Sequence, residues 1–428
     1  MFTRRVTKLS TSALCRHLWT HRTVSGSTLS ACVSQGLTNL STKPINVCVA
    51  LVSRSFPSTD LASLNAEIAK HIQPHIFLGA VVDRVPCQAS GGHGLSILIG
   101  QDEDVTAFAL EDSVDRKKIK SVSVGRWGRV QDFNRFNFEE NDLDKFGWES
   151  FKSVSTNAQA HQQLPELQNL KNSPKFAWII SDHEPYQVIE SLDHQFPHAI
   201  KAGLIGTSTP FTTGTPYTMF YNGKHMAGGS IGFVSSSVPE MKTKVEFQAL
   251  EKLGNPMTIT RCRGNIILDL DESSATGLLL DLLNKGHNAK ISKEKEFYLG
   301  TCADHGEDNA SLVSVHKVTS GDPSKGNMSI DTTADFKVGQ RVQFLHRMDV
   351  DESAVIPSAG SPDQKQIICS VTDKDGTIEF SKSLKQDIES MIPAVFGGSS
   401  ENGALVGLPN QPTYVFDAPY SHYVISTK

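Results

Sequence analysis

Acidic side chains are missing from the opening of this sequence: no Asp or Glu occurs before Asp60. Paired cysteines are missing too. The seven cysteines are scattered, with no CxxC among them, which excludes a zinc ribbon or a thioredoxin-like motif on spacing alone. No apolar run reaches the ~20 residues that a membrane-spanning helix needs. There is no Walker lysine or GxGxxG, so a nucleotide is not indicated. HExxH and Ser-His-Asp arrangements are absent, and GGSIG and GHGLS are not GxSxG elbows.

What fills the acid-free opening is basic. Residues 1–44 carry Arg4, Arg5, Lys8, Arg16, Arg22 and Lys43 amid many Ser and Thr. Such a composition is that of a mitochondrial import segment. Phe2, Val6, Leu9 and Ala13 share one helical face, and Arg5, Lys8, Ser12 and Arg16 share another. The spacing predicts a basic amphipathic helix, removed by cleavage between Thr23 and Lys43, and a soluble protein of the mitochondrial matrix. An ordinary basic tail is the plainer alternative. The whole chain carries a formal charge of −5, so the rest is near −11 once the six cations of this segment are gone. An acidic body argues against nucleic acid and anionic membranes as partners. Cys15 and Cys32 would leave with the segment. The other five read as reduced, mostly buried thiols.

The body reads as mixed α/β. Strands are expected at INVCVALVS, IFLGAVVDRV, LSILIG and Asp104 to Leu110, with a helix through Leu61, Leu64, Ile68 and Ile72. The pattern resumes with FAWIISD, a helix opened by Pro185, and AGLIG. Asn222-Gly223 then turns a hairpin into HMAGGSIGFV. From 241 onward the chain is β-rich. ITRCRGNIILDLD turns at Arg263-Gly264, Ser273-Ser274 caps the helix ATGLLLDLLNKG, and further strands follow. Two subdomains, 45–240 and 241–428, are expected to join between Val238 and Phe247.

Residues 112–175 break the alternation. They are long, polar and charged, and loops of that length are often functional. Arg116, Lys117, Lys118, Lys120, Arg126, Arg129 and Arg135 are interleaved with Trp127, Phe133 and Phe136, a composition that can bind single-stranded nucleic acid. Glu139, Glu140, Asp142, Asp144 and Glu149 follow and cancel the field, which favours a surface insertion. A scaffold role, with protein partners docking on this insertion, is one functional alternative.

The order of motifs resembles the FIST family, named for F-box and intracellular signal transduction proteins. The N-terminal half of that family is matched by IFLGAVVDRV with GHGLSILIG, then by WIISDHEPYQVIESL, FPHAIKAGLIG and MFYNGKHMAGGSIGF. The C-terminal half is matched by LGNPMTITRCRGNIILDLDESSATGLLLDLL and KVGQRVQFLHRMD. The resemblance covers residues 45–349, and no single motif is specific; their joint order carries it. The insertion is a departure, and the sequence diverges after 350. The family's Cys- and Gly-rich ending with a Gly-Glu signature is not recognisable, VFGGSSENG at Gly397 to Gly403 being its nearest remnant. There is no F-box. The resemblance implies a sensory module proposed to bind small molecules such as amino acids. Some bacterial members resemble a haem-binding sensor, and F-box members serve in ubiquitin-ligase adaptors.

The residues themselves offer three candidate sites. Asp182-His183-Glu184 stands where a strand meets a helix, a favoured place for ligands in α/β sheets. A carboxylate beside an imidazole could work as acid and base in a hydrolase or transferase, or Asp182 could simply cap the helix. Thr207, Ser208 and Thr209 follow the next strand, where hydroxyls and backbone N–H groups could cradle a carboxylate or phosphate. An ordinary hydroxyl turn is the alternative. His93 lies in a glycine loop, with Asp83 and Cys87 before it; a metal or haem ligand is conceivable there, a lone surface His plainer. Asp304-His305 with Glu307 and Asp308 reads as a solvated loop. No metal site is assigned and no cofactor can be named. The expectation is a small polar, amino-acid-like ligand at the strand ends contributed by Asp182 and Thr207 to Thr209.

Overall fold

The computed structural model describes residues 19–40, 43–86, 88, 92–101, 104–111, 164–284, 296–302, 312–322, 324, 326–332, 335–349, 364–373 and 390–427. The chain begins with β1 (Trp19–Gly26) and α1 (Leu29–Gly36), then β2 (Val47–Ser53), α2 (Ser58–Ala69), β3 (Ile76–Val82), β4 (His93–Gly100) and β5 (Val105–Leu110). Next come β6 (Phe176–Ser181), α3 (Tyr186–Gln195), β7 (Ile200–Ile205), β8 (Met219–Tyr221), β9 (Lys224–Met226), β10 (Ser230–Ser235) and β11 (Met241–Phe247). A β-rich stretch follows: β12 (Leu250–Arg263), β13 (Ile266–Leu270), β14 (Ser273–Ser274), α4 (Ala275–Asn284), β15 (Phe297–Cys302), β16 (Leu312–Gly321), β17 (Met328–Ile330) and β18 (Arg341–Arg347). The last strands are β19 (Lys365–Val371), β20 (Ser390–Pro393), β21 (Val395–Ser400), β22 (Ala404–Gly407), β23 (Tyr414–Phe416) and β24 (Ser421–Thr427). The fold is mixed α/β and rich in strand.

Two sheets repeat one plan. The first runs β1-β4-β2-β3-β8-β9, with β20 beyond β1; the second runs β5-β10-β6-β7-β22-β23. In both, the third and fourth strands of that series are parallel and the other neighbours antiparallel. Each parallel pair is bridged by a helix, α2 or α3, as a crossover requires. Alternation sorts the first sheet's faces. Cys48, Ala50 and Val52 meet α1 and α2, whereas Val47, Val49 and Leu51 enter the larger core shared with the second sheet. Strand β21 fills part of that core: Phe396 meets Trp178 edge-on, and Gly398 lies against Leu51 and Val82.

A third sheet, β11-β24-β19-β21, ties the C-terminus to this body, and a fourth, β12-β18-β15-β16-β17-β13-β14, has a separate core beneath α4. The division expected at 240/241 is therefore not that of the fold. The presumed joint from Val238 to Phe247 contains strand β11, paired along its length with β24. Residues 365–427 return to the first body, although VFGGSSENG is the one remnant of the family in their sequence.

The expected boundary at residue 44 also moves. β1 pairs with β4 over Trp19 to Gly26 and with β20 on its other side. Leu29, Cys32 and Val33 of α1 are buried on the first sheet. Arg22, counted above as an import cation, donates from Nη1 to the carbonyls of Gly36 at 2.9 Å and Thr38 at 2.5 Å, satisfying the helix's last turn. Cleavage between Thr23 and Lys43 would remove a strand with both edges paired. The folded body starts by Trp19.

A second difference is local. Asn222-Gly223 does turn a hairpin, with φ of 47° and 87°, but the hairpin is only β8–β9. Gly229, at φ 101°, redirects the chain so that SIGFVS enters the other sheet between β5 and β6. Of the charged insertion, residues 112–163 lie outside the described residues, as do Cys87, Gly286, Asp304, His305, Glu307 and Asp308. The part from Leu164 onward packs on the body through Leu164 and Leu167.

Candidate functional site

The parallel pair β6–β7 aligns Ser181 with Ile205, so Asp182 and Gly206 leave the sheet side by side. The loop after β7 then crosses to the other sheet. Thr207 N donates to Val81 O at 3.1 Å, and Val81 N to Thr218 O at 3.0 Å. The carboxyl ends of β3 and β7 thus meet. The end of β21 joins them, with Asp83 N donating to Ser399 O and Ser399 N to Arg84 O, both at 2.8 Å. Three loops from distant parts of the chain converge on one edge, the geometry that favours a binding site in α/β sheets.

At the centre of that edge sits Glu401. Thr207 Oγ1 donates to its Oε2 at 3.0 Å, and Ser208 N donates to its Oε1 at 2.8 Å. Asn402 Nδ2 bonds the same Oε1 at 3.2 Å, Gly206 O at 2.9 Å and Ser208 Oγ at 3.0 Å. The hydroxyl loop therefore does cradle a carboxylate, and that carboxylate is the chain's own. Hydrogen bonds to an ionised acceptor are about twice as strong as neutral ones.

Asp83 lies beside this cradle, almost fully buried, with Arg54 Nε 2.6 Å from Oδ1. Burial pushes the Asp83 carboxyl above the usual range; Arg54 opposes the shift and Glu401 adds to it. The Arg54 side chain is 36% exposed, so the edge has a cation reachable from solvent.

The expected residues divide by role. Asp182 is 2% exposed; its Oδ1 accepts from Glu184 N at 2.9 Å and its Oδ2 from Gly229 N at 2.7 Å. It holds the turn that precedes α3, which itself has no side-chain cap, and the point where the chain changes sheets. His183 faces outward, its ring stacked on Tyr217 with centroids 6.1 Å apart, and Nε2 lies 3.7 Å from Glu184 Oε1. The structure does not bring its imidazole onto the Asp182 carboxylate. Tyr217 is itself pushed up by burial and then by the Asp182 charge. Thr207 and Ser208 make the cradle. Thr209 turns inward, with Oγ1 donating to Thr215 O at 3.0 Å and 2.8 Å from Thr218 Oγ1. His93 opens β4 on the same edge of the first sheet. Its ring stacks on Phe56 at 4.5 Å, and Nδ1 lies 3.0 Å from Ser55 Oγ. Burial lowers its pKa. Among the described residues no group of three or more His, Cys, Asp or Glu could hold a metal ion.

Glu401, Asn402, Arg54 and Arg84 were not singled out from the sequence. The one signal was the segment VFGGSSENG, a glycine-led strand ending in polar residues. A cavity of about 90 Å³ lies elsewhere, lined by Trp19, His21, Leu98, Phe176, Lys365 and others. Strand register places it at the opposite edge of the sheets from Glu401, because Phe176 and Lys365 open the strands whose neighbours end there. We place the candidate site at the Glu401 edge, where polar groups from three loops converge. Among the described residues no helix is long and apolar enough to cross a membrane. No family model matches the chain, and no curated protein matches it.

Proposed function

We propose that this protein is a FIST-like sensory module that binds a small, carboxylate-bearing molecule of the amino-acid kind at the Thr207–Ser208 cradle. The observation that carries the reading is the internal carboxylate of Glu401 already seated there. A hydroxyl and a backbone N–H that hold one carboxylate suit another, and an external one competes by displacing Glu401. Arg54 adds a cation on the same edge, and the order of sequence motifs supports the family. The reading involves binding rather than turnover, since the Asp182 carboxylate is engaged by two backbone N–H groups and its neighbour's imidazole is directed elsewhere.

The test empties the cradle. Glu401→Ala should gain thermal stability saturably on addition of acetate or glycine, by about 1.4 kcal/mol at ten times Kd. The wild-type protein should gain less, since its own carboxylate competes. Glu401→Ala combined with Thr207→Val should gain little. Equal shifts in the single and double variants would remove the cradle from consideration.

We also infer import into the mitochondrial matrix, now resting on residues 1–18 alone. That stretch retains Arg4, Arg5, Lys8 and Arg16 and the stripe Phe2, Val6, Leu9 and Ala13. A fluorescent reporter carrying residues 1–18 should enter mitochondria, and one with Arg4, Arg5 and Arg16 changed to Glu should stay in the cytosol. Cytosolic fluorescence from the unaltered fusion would end the inference.

A further inference from the structure

The cavity at the opposite edge of the sheets is a small space of about 90 Å³ with a chemically uneven lining. Trp19, Leu98, Phe176 and Ile367 are buried apolar walls. Lys365, half-buried, is among the lining residues, and its charge is close enough to His21 in the same lining to lower that ring's pKa. Among the described residues no carboxylate pairs with Lys365, and its own pKa is lowered by desolvation alone. A half-buried cation facing apolar surface is costly unless an anion neutralises it. His21 and Thr427 are the other polar residues of the lining, and His21 is the one with a defined tautomer. Its Nδ1 lies 3.0 Å from Gln366 O, a carbonyl that can only accept, so Nδ1 carries the hydrogen. Burial keeps the ring neutral, with its pKa lowered to about 4, which leaves Nε2 an acceptor.

We propose that this cavity is a second binding site, for a short aliphatic monocarboxylate whose carboxylate meets Lys365 and whose carbon chain lies against Trp19, Leu98, Phe176 and Ile367. The charge fixes the headgroup and the walls fix the tail. Inorganic phosphate would satisfy the ammonium but place charged oxygens against four apolar side chains. An alkylamine would fill the apolar part but set a second cation beside the first. Size limits the chain. An apolar cavity of about 150 Å³ accommodates benzene, so this one accepts roughly four heavy atoms, with room at its mouth for one or two more. Propionate and butyrate are that size; long fatty acids are not. A hydroxyl on the chain could donate to His21 Nε2, so hydroxylated acids of this length belong to the same class.

This site does not depend on the Glu401 cradle. It lies at the starts of strands whose far ends form the cradle edge, and a six-residue strand separates the two edges by roughly 20 Å.

The experiment is ligand-observed NMR titration of the full chain with propionate, butylamine and inorganic phosphate. Propionate should bind saturably with millimolar affinity, at least tenfold more tightly than butylamine or phosphate. Lys365→Met keeps the side-chain stem and removes the charge; it should weaken propionate at least tenfold. Val238→Phe, which narrows the cavity and leaves Lys365 untouched, should do the same. Both variants are checked for native circular dichroism and cooperative unfolding. Where one does not fold, the other and the ligand comparison decide. The titrations are run in the Glu401→Ala, Thr207→Val background, in which the cradle binds little, so propionate binding and its loss there report this cavity alone and fail separately from the cradle. Binding of butylamine equal to that of propionate would overturn the proposal. So would propionate binding that survives Lys365→Met, or no saturable binding up to tens of millimolar.

Discussion

Asp182 reads both as an acid–base group and as a cap for backbone N–H groups. Its position at a strand end marked it as a candidate, and the structure gives it two backbone partners, Glu184 N and Gly229 N. The second partner is 47 residues away, and no local pattern announces it. Thr207 and Ser208 were legible as an anion cradle from hydroxyls following a strand. Their occupant was not, because Glu401 lies 194 residues beyond Thr207. Two other single residues bear on acid stability. His21 and His316 are each buried and have pKa values lowered from 6.5 to about 4, by burial first; Lys365 adds to the effect at His21, and Asp331 opposes it at His316. A histidine depressed in the folded state contributes stability fully above its unfolded value and loses it as pH falls toward its folded value. Between pH 6.5 and pH 5 each should cost about 2 kcal/mol. Asp83, held high by burial, works the other way. Urea unfolding at pH 7 and pH 5 should show the loss, and His21→Gln or His316→Gln should each flatten it. A pH profile unchanged in both variants would assign the loss elsewhere.

Elements were more legible than their partners. Period-two and period-3.6 patterns located most strands and helices between β2 and β18 to within a few residues, because local sequence decides those; β11 reads as a joint, and β19 to β24 are not anticipated. Two readings failed where tertiary pairing overrode composition. The strand WTHRTVSG is basic and hydroxyl-rich, yet Thr23, Val24 and Ser25 are at most 3% exposed, because β4 and β20 pair with both its edges. The hairpin beyond Asn222 was read as one unit because its break is a glycine pair, and the role of Gly229 emerges only beside Asp182. Removing residues 1–18 should leave a cooperatively folding protein. Removing residues 1–26 should not, since it exposes an edge of β4 and strips the covering from Val24's neighbours Leu29, Val33 and Ile97 in the same core. Burial of each such aliphatic side chain is worth about 1.5–3 kcal/mol, and a typical domain holds only 5–15 kcal/mol in all. Cooperative unfolding of the longer truncation, with unchanged midpoint, would put β1 outside the stable body.

For the molecule as a whole, the sequence conveyed the class and the β-rich second half. It did not convey that two sheets share one plan, with strands in the same order and sense. That correspondence is spatial: the hairpin completing the first sheet, β8–β9, comes from the middle of the chain, and the one completing the second, β22–β23, comes from near its end. Strand order across such distances leaves no periodic trace. The expected two-part division differs from the sheets for the same reason, since residues 365–427 fall by sequence in the second subdomain and supply strands to the sheets of the first.

The position of β21 has a consequence for how the chain reaches this state. Phe396 and Gly398 lie between layers formed by residues more than 150 positions earlier, and β20 closes onto β1 at the opposite end of the sequence. A polypeptide emerging from the ribosome cannot fill its own middle until almost all of it has been made. Contacts of such long sequence separation slow folding, because chain entropy must be lost before they form. Until then the facing surfaces of the two sheets stay open, and the nascent protein resembles an unfinished shell more than a domain assembled from its N-terminus onward.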